Sequence, residues 1–213
     1  MFRKFLSYFY PASRSFKSDF NGEVKITLTA RKKLLNTTNT NYSYGSLEKV
    51  MRYALHQVDL SLTREILILG MGGGCVLKVL RDEFGYLGNI TAVDIDPVIV
   101  QLAETEFGIC TNKKTTIICE DAGTFVEKDQ RQYDVIIIDL FIDNLVPDQF
   151  SQAEFWKQVL TLLNKNGKIV FNTLDEPLTD LQPALAEMHK LNMKTDLYRQ
   201  VEQTNRVLIA THL

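Results

Sequence analysis

The run from Glu65 to Gly74, EILILGMGGG, decides how this chain is read, together with TAVDIDP from Thr91 to Pro97, which begins 17 positions after Gly74. An unbroken apolar strand, a glycine turn, a helix and a second strand ending in an acid form the opening of a nucleotide-binding βαβ unit. An adenosine-containing ligand is the expectation. Asp94 lies 24 positions after Gly70, where a carboxylate at the end of the second strand can accept hydrogen bonds from both ribose hydroxyls.

The glycine spacing narrows the ligand. A dinucleotide fingerprint is Gly-x-Gly-x-x-Gly, its second glycine admitting a pyrophosphate and its third allowing close helix–strand packing. Here Gly70, Gly72 and Gly74 alternate, and Cys75 stands where the third dinucleotide glycine would be. That spacing resembles the first motif of S-adenosylmethionine (AdoMet) dependent transferases.

Outward from this unit, strands and helices alternate from Thr63 onward. Strands are predicted at Glu65 to Leu69, Asn89 to Val93, Thr115 to Cys119, Asp134 to Ile138, Lys168 to Phe171, Lys194 to Arg199 and Arg206 to Thr211. Several read as near-continuous apolar runs, the mark of strands buried on both faces of a parallel sheet. Helices are predicted at Val76 to Phe84, Pro97 to Phe107, Ala122 to Asp129, Gln152 to Leu163 and Leu181 to Lys190. Pro97 suits a first helical turn, and Gly167 suits the stop after the helix that starts at Gln152.

The result is an α/β chain with a doubly wound, seven-stranded, mostly parallel sheet. The short turn from Val201 to Asn205 cannot carry a helix, so the last strand is expected to run antiparallel to its neighbour. Before Thr63, EVKITLT (Glu23 to Thr29) and KLLNTT (Lys33 to Thr38) read as a β-hairpin. A helix from Ser46 follows, with Leu47, Met51 and Leu55 in one stripe. Residues 1–60 are thus expected to form an extension and residues 61–213 the AdoMet-binding, Rossmann-like domain.

Composition sets outer bounds. The 213 residues are 45% hydrophobic and 23% charged, ordinary values for a globular protein, and net charge is −2. No apolar run approaches the roughly 20 residues that a membrane span needs. The aromatic and basic start, MFRKFLSYFYPASRSFKSDF, lacks a small-residue cleavage site, so no signal peptide is expected. Its aromatic residues suit packing or a dimer contact, a cover for the acceptor pocket, or a membrane surface.

Three cysteines without a Cys-x-x-Cys, and three scattered histidines, predict a reducing cytoplasmic setting and no metal. Residues 1–60 hold ten Lys or Arg against four Asp or Glu, opposite in sign to the remainder. Such an extension can pair with the acidic domain or recruit nucleic acid. The basic residues are spread along the extension, which favours pairing.

In an open α/β sheet, ligands bind beyond the carboxyl ends of the strands. The first four strands end at Gly70, Asp94, Asp121 and Asp139, four residues suited to one ligand. Asp94 is expected to take the ribose, with Ile95 packing on the adenine. Two roles suit Asp121, acceptor for the adenine amino group and N-cap of the following helix. Asp139 and Asp143, in DLFIDNLVPDQF, are the candidates for chemistry. A carboxylate there can hold a protonated amine and accept its proton.

With these motifs the chain resembles the spermidine synthase family of polyamine aminopropyltransferases, within the class I AdoMet-dependent methyltransferase fold. The resemblance runs over about residues 20 to 173 and includes ILGMGGGCVLKVL, VDIDPVIV, EDAGTFV and YDVIIIDLF. It implies transfer of an aminopropyl group from decarboxylated AdoMet to a diamine, in a homodimer. It also implies ribose binding by Asp94, adenine binding by Asp121 and Ala122, Asp139 as catalytic base, and Asp143 and Tyr44 at the acceptor.

Four features depart from the family pattern. Gly73 stands where the family carries an acid that binds the donor's aminopropyl ammonium. Asp139 and Asp143 are further apart than the family's acid pair. Asn172-Thr173-Leu174 replaces Gln-Gly-Glu, followed by Asp175 and Glu176, and the N-terminal β-region is short. An acid at position 73 would face the carboxylate of intact AdoMet at a cost on the order of kcal/mol. Glycine removes that discrimination, so intact AdoMet is also admissible as donor. The readings that follow are aminopropyl transfer to a small-molecule amine, methyl transfer to a small molecule or RNA, and a nucleotide-binding homologue without catalysis. A dehydrogenase is disfavoured by Cys75 and by the C-terminal strand pair.

Overall fold

Residues 65–69, 89–94 and 133–138 are largely apolar on both faces of their strands, and the fold buries both faces, whereas 115–119 is a partly exposed edge strand. The computed structural model describes residues 12–29, 32–37, 41–43, 45–142, 145–175 and 179–212. The central sheet comprises β5 (Glu65–Leu69), β6 (Asn89–Asp94), β7 (Thr115–Cys119), β8 (Tyr133–Ile138), β9 (Leu163–Leu174), β10 (Met193–Val201) and β11 (Asn205–His212). Its order is β10-β11-β9-β8-β5-β6-β7. The pairs β5 with β6 and β8, β6 with β7, and β8 with β9 are parallel. As expected from the short final turn, β11 runs antiparallel to both β10 and β9.

Alternate residues of the central strands feed two layers. Leu67, Leu69, Ile136, Ile138 and Phe171 face one layer, where Phe125 of α4 (Ala122–Lys128), Trp156 and Val159 of α5 (Ala153–Thr161), and Met188 of α6 (Gln182–Lys190) close the core. Ile66, Ile68, Val135, Ile137 and Val170 face the other. There they meet Val50, Met51, Ala54 and Leu55 of α1 (Ser46–His56) and Val76 of α2 (Cys75–Lys78). Each fully buried aliphatic side chain contributes roughly 1.5–3 kcal/mol relative to exposure, which is why an all-apolar strand reads so clearly as a central one. Buried Trp156 keeps its indole N–H satisfied by donating to the Phe150 carbonyl at 3.0 Å.

The N-terminal region is more than a hairpin. β1 (Ala12–Ser18), β2 (Gly22–Thr29), β3 (Lys32–Asn36) and β4 (Asn41–Ser43) form a separate four-stranded antiparallel sheet. Its Val24, Ile26 and Leu35 pack on Ile99 and Leu102 of α3 (Pro97–Phe107). The basic residues here find acidic partners. Arg14 and Lys33 both reach Glu106, and Arg52 bridges Glu48 and Glu83. Arg14, Lys33 and Arg52 thus each pair with an acid beyond residue 60, Glu106 or Glu83.

Several boundaries differ from expectation. The helix predicted from Val76 to Phe84 is one α-turn followed by a π-helical stretch at Val79–Glu83, with the Phe84 N–H donating to the Val79 carbonyl. The helix predicted to run to Leu163 stops at Thr161, and β9 begins at Leu163, before the predicted Lys168. Gly167 is consequently no helix stop. It lies within β9 beside a register shift, where a Cβ would come within 2.7 Å of the Leu163 side chain. β8 starts one residue early, at Tyr133. The predicted segment from Lys33 to Thr38 is described only to Thr37.

Candidate active site at the carboxyl ends of the strands

The chain reverses its strand order at β5, with β6 on one side and β8 on the other. Such a switch point opens a crevice beyond the carboxyl ends, because the two following connections leave in opposite directions. Around it the loops are stitched by backbone bonds. The N–H groups of Gly70 and Met71 both donate to the Val93 carbonyl at 3.0 Å, and the Asp139 N–H donates to the Leu69 carbonyl at 2.8 Å.

Asp94 ends β6 and is 5% exposed. Its Oδ2 accepts from the Gly72 N–H at 2.8 Å and its Oδ1 from the Asp96 N–H at 3.0 Å. Burial pushes its carboxyl up to about 6, opposed by those backbone donors. Each carboxylate oxygen accepts more than one hydrogen bond, so both oxygens retain capacity for ribose hydroxyls. Ile95 is half-buried next to it, and Ala122 is buried at the start of α4.

Asp121 takes up one of its two expected roles. It caps α4, its Oδ1 accepting from the Thr124 N–H at 2.9 Å, while Oδ2 accepts from Gln149 Nε2 at 3.1 Å. Gln149, in the turn at Asp148–Ser151, was not anticipated from sequence, because it approaches only through the fold of that loop.

Asp139 follows β8 directly and keeps partial exposure. Burial pushes its carboxyl up to about 6, Asn172 lowers it by donating from Nδ2 to Oδ1 at 2.9 Å, and nearby Asp94 raises it. Gly70 crosses immediately beside it. The glycine turn, Asp94 and Asp139 are thus brought together at one crevice, with Asp121 on the adjoining strand end. Asp143 and Tyr44 lie outside the described residues. Beyond β8 and β9 is a cavity of about 440 Å³ whose walls include Phe141, Leu145, Leu174, Asp148 and Asp180. Among the described residues, no group of three or more His, Cys, Asp or Glu is arranged to hold a metal ion.

Asp96 carries a further role that the sequence reading left unassigned. Fully buried, it caps α3 by accepting from the Val98 N–H at 2.9 Å. It also accepts from the Ser18 hydroxyl and from Asn21 Nδ2 in the β1–β2 turn. The N-terminal sheet is thereby tied to the residue whose N–H holds Asp94. The only sequence signal was the Asp-Pro pair at a helix start.

Replacing Asp94 with Asn is expected to weaken binding of a ribose-containing donor about 10- to 100-fold, since hydrogen bonds to a charged acceptor contribute roughly 1.5–3 kcal/mol each. Affinity in the unaltered protein is expected to rise with pH through about 6, as the carboxylate ionises. Calorimetric titration across pH reads both effects. Affinity within twofold of the parent would remove Asp94 from the donor site.

A polyamine aminopropyltransferase of Vibrio vulnificus is 32% identical over 111 residues, 51% of this chain and 37% of the relative. The chain spans under half the length of the curated relatives it matches. Human methyltransferase-like protein 13, solved in complex with SAH, superposes with a TM-score of 0.66 at 22% identity, covering 80% of this chain and 83% of that one. Spermidine synthase from Thermotoga maritima gives 0.58 at 18% identity, covering 93% and 72%. These likenesses establish the class I AdoMet-dependent methyltransferase fold. The Spermine/spermidine synthase domain pattern matches residues 48–203, and with the strand order, the alternating glycines and the acids at the strand ends it shows that this chain belongs to the spermine/spermidine synthase family.

Proposed function

We propose that the chain transfers an alkyl group from an AdoMet-type sulfonium donor to a small-molecule amine, most like the aminopropyl transfer of polyamine synthesis. The observation that carries this reading is Asp139, a carboxylate beside the glycine turn and Asp94 at the switch point. In the reaction the amine nitrogen attacks the carbon next to sulfur. A C–N bond forms, the C–S bond breaks, and the electron pair stays on sulfur as the neutral thioether. Asp139 first holds the amine and then takes the proton that the new ammonium must shed. Gly70, Gly72 and Gly74 let the turn lie close to the donor. Asp94 takes its ribose, and Asp121, Ala122 and Ile95 take its adenine. The neighbouring cavity pairs apolar walls with Asp148 and Asp180, which suits an alkyl chain ending in a cation. Asp143 and Tyr44 complete the acceptor site in this reading. A reducing, cytoplasmic setting fits three cysteines that form no disulfide, and a homodimer is the assembly that the family resemblance implies.

Calorimetric titration with AdoMet, decarboxylated AdoMet and NAD tests the donor, followed by turnover assays with diamines. Preference for decarboxylated AdoMet together with diamine turnover supports the proposal. Binding of NAD alone overturns it.

Gly73 favours a second reading, methyl transfer from intact AdoMet, which the likeness to human methyltransferase-like protein 13 also fits. Gly70, Gly72 and Gly74 have φ of +87°, +56° and +82°, whereas Gly73 is not among the glycines with positive φ, so a side chain is admissible on its backbone. Gly73→Asp is therefore expected to fold and to shift donor preference about tenfold toward decarboxylated AdoMet, by repelling the carboxylate of the intact donor. The ratio of the two dissociation constants is the measurement, and an unchanged ratio would show that position 73 does not face the donor's tail.

A further inference from the structure

Asp139 is held by a side chain from the adjacent strand, which is itself held from the strand beyond it. Asn172, fully buried on β9, donates from Nδ2 to Asp139 Oδ1 at 2.9 Å. Asn172 Oδ1 accepts from Asn205 Nδ2 at 3.0 Å, and Asn205 Oδ1 accepts from the Thr204 hydroxyl at 2.9 Å. The series has a direction. Because Asn205 presents its amino group, Asn172 must turn its carbonyl toward Asn205 and its own amino group toward the carboxylate.

Asn205 begins β11, where it pairs with Leu174, while Val207 pairs with Asn172. Asn172 is thus its diagonal cross-strand neighbour, within reach of an amide. The turn before Asn205 is strained. Gln200, Glu202 and Gln203 all have left-handed φ, at 54°, 48° and 74°. Asp175 over-determines it: its N–H donates to the Thr204 carbonyl at 2.8 Å, and its Oδ2 accepts from the Gln200 N–H at 2.9 Å. Its Oδ1 also lies 3.3 Å from Arg199 Nε and 3.6 Å from Arg206 Nε. Left-handed φ at Glu202 and Gln203 is what a two-residue hairpin turn requires, and Gln200 lies at the register shift between β10 and β11.

We propose that Asn205 and Asn172 are positioning residues, a hydrogen-bonded relay that orients the Asp139 carboxylate and leaves its Oδ2 for the acceptor amine. This rests on the reading of Asp139 as the base. The C-terminal hairpin turn then belongs to the active-site machinery. Among the described residues, the groups that bear on Asp139 are Asp94 from the end of β6, the uncharged Asn172 from β9, and the Gly70 backbone after β5. Asn172 supplies the donor that opposes burial and Asp94.

The test is a carbon-13 titration of the ligand-free protein labelled at aspartate carboxyls, with the Asp139 signal assigned by its loss in D139N. In Asn205→Asp the new carboxylate claims the Asn172 amino group and turns the Asn172 carbonyl toward Asp139, which must keep a proton to meet it. The Asp139 midpoint is expected to rise by about one pH unit or more, and to rise also in N172A and N205A. A merely structural role for Asn205 would lower the melting temperature and leave the midpoint in place. An unmoved midpoint in a folded Asn205 variant overturns the relay, with N172A decisive if neither variant folds. The titration uses no substrate, so it is separable from the functional reading: turnover that survives D139N would overturn that reading alone.

Discussion

Asp139→Asn is expected to lower turnover by about 10²–10⁴-fold while leaving donor affinity within a few-fold, the loss typical of removing a positioned general base. The substitution is nearly isosteric, and the amide oxygen it introduces can still accept from Asn172, so the crevice keeps its shape. The unaltered enzyme should show an acid limb in kcat near pH 6, because only the ionised carboxylate accepts a proton and burial has pushed it up to about 6. Asp94 is pushed to the same range, and the two interact. They separate by parameter: saturating donor removes the Asp94 limb, and D139N removes the limb in kcat. Stability moves the other way. A carboxyl whose folded pKa is raised contributes stability that is present below its ordinary value near 3.8 and lost as pH rises through about 6. D139N should therefore melt higher than the parent at pH 8, in the same preparation that has lost turnover. Unchanged turnover in a folded D139N would sink the assigned role.

What was legible in the sequence was whatever depends on short spacing or two-sided burial. ILIL and VIII must be central strands, because both alternating faces are apolar and each is now packed against a different helical layer. Asp94, Asp121 and Asp139 were readable because a parallel α/β sheet delivers every strand end to one edge. The antiparallel closure followed from a turn too short for a helix. What escaped depends on register between distant segments. Nothing in the sequence around Asn172 or Asn205 announces that their amides meet, since that follows from the pairing of β9 with β11. β1 escaped because ASRSFKS is polar and largely exposed, its one buried residue being Ser18, which serves Asp96. Gly167 misled because a glycine reports that something lies close without saying what. Here it is Leu163 folding back, and not the end of a helix.

Gly70→Ala is expected to destabilise the protein by about 4 kcal/mol or more, enough to prevent accumulation of folded protein in many backgrounds. Two costs combine. An L-residue at the φ of +87° is strained by roughly 1–2 kcal/mol. The larger cost is steric, because a Cβ on Gly70 would lie 2.1 Å from the Asp139 carbonyl oxygen and 2.7 Å from its carbonyl carbon. These are backbone atoms of a buried strand end, so no rotamer change relieves the clash. The ends of β5 and β8 would have to part, stretching the bonds from Asp139 N–H to Leu69 and from Gly70 N–H to Val93. Gly108 supplies the control. It has φ +71° with nothing within 4 Å of a built Cβ, so Gly108→Ala carries the conformational cost alone, about 1–2 kcal/mol. Urea unfolding of the two variants isolates the steric part by difference, and equal losses would show that the strand ends yield easily. The same displacement bears on the chemistry, since Gly70 presses on the backbone that carries Asp139. Any Gly70→Ala protein that does fold should have lost turnover as well, because the clash it relieves is relieved by moving the base.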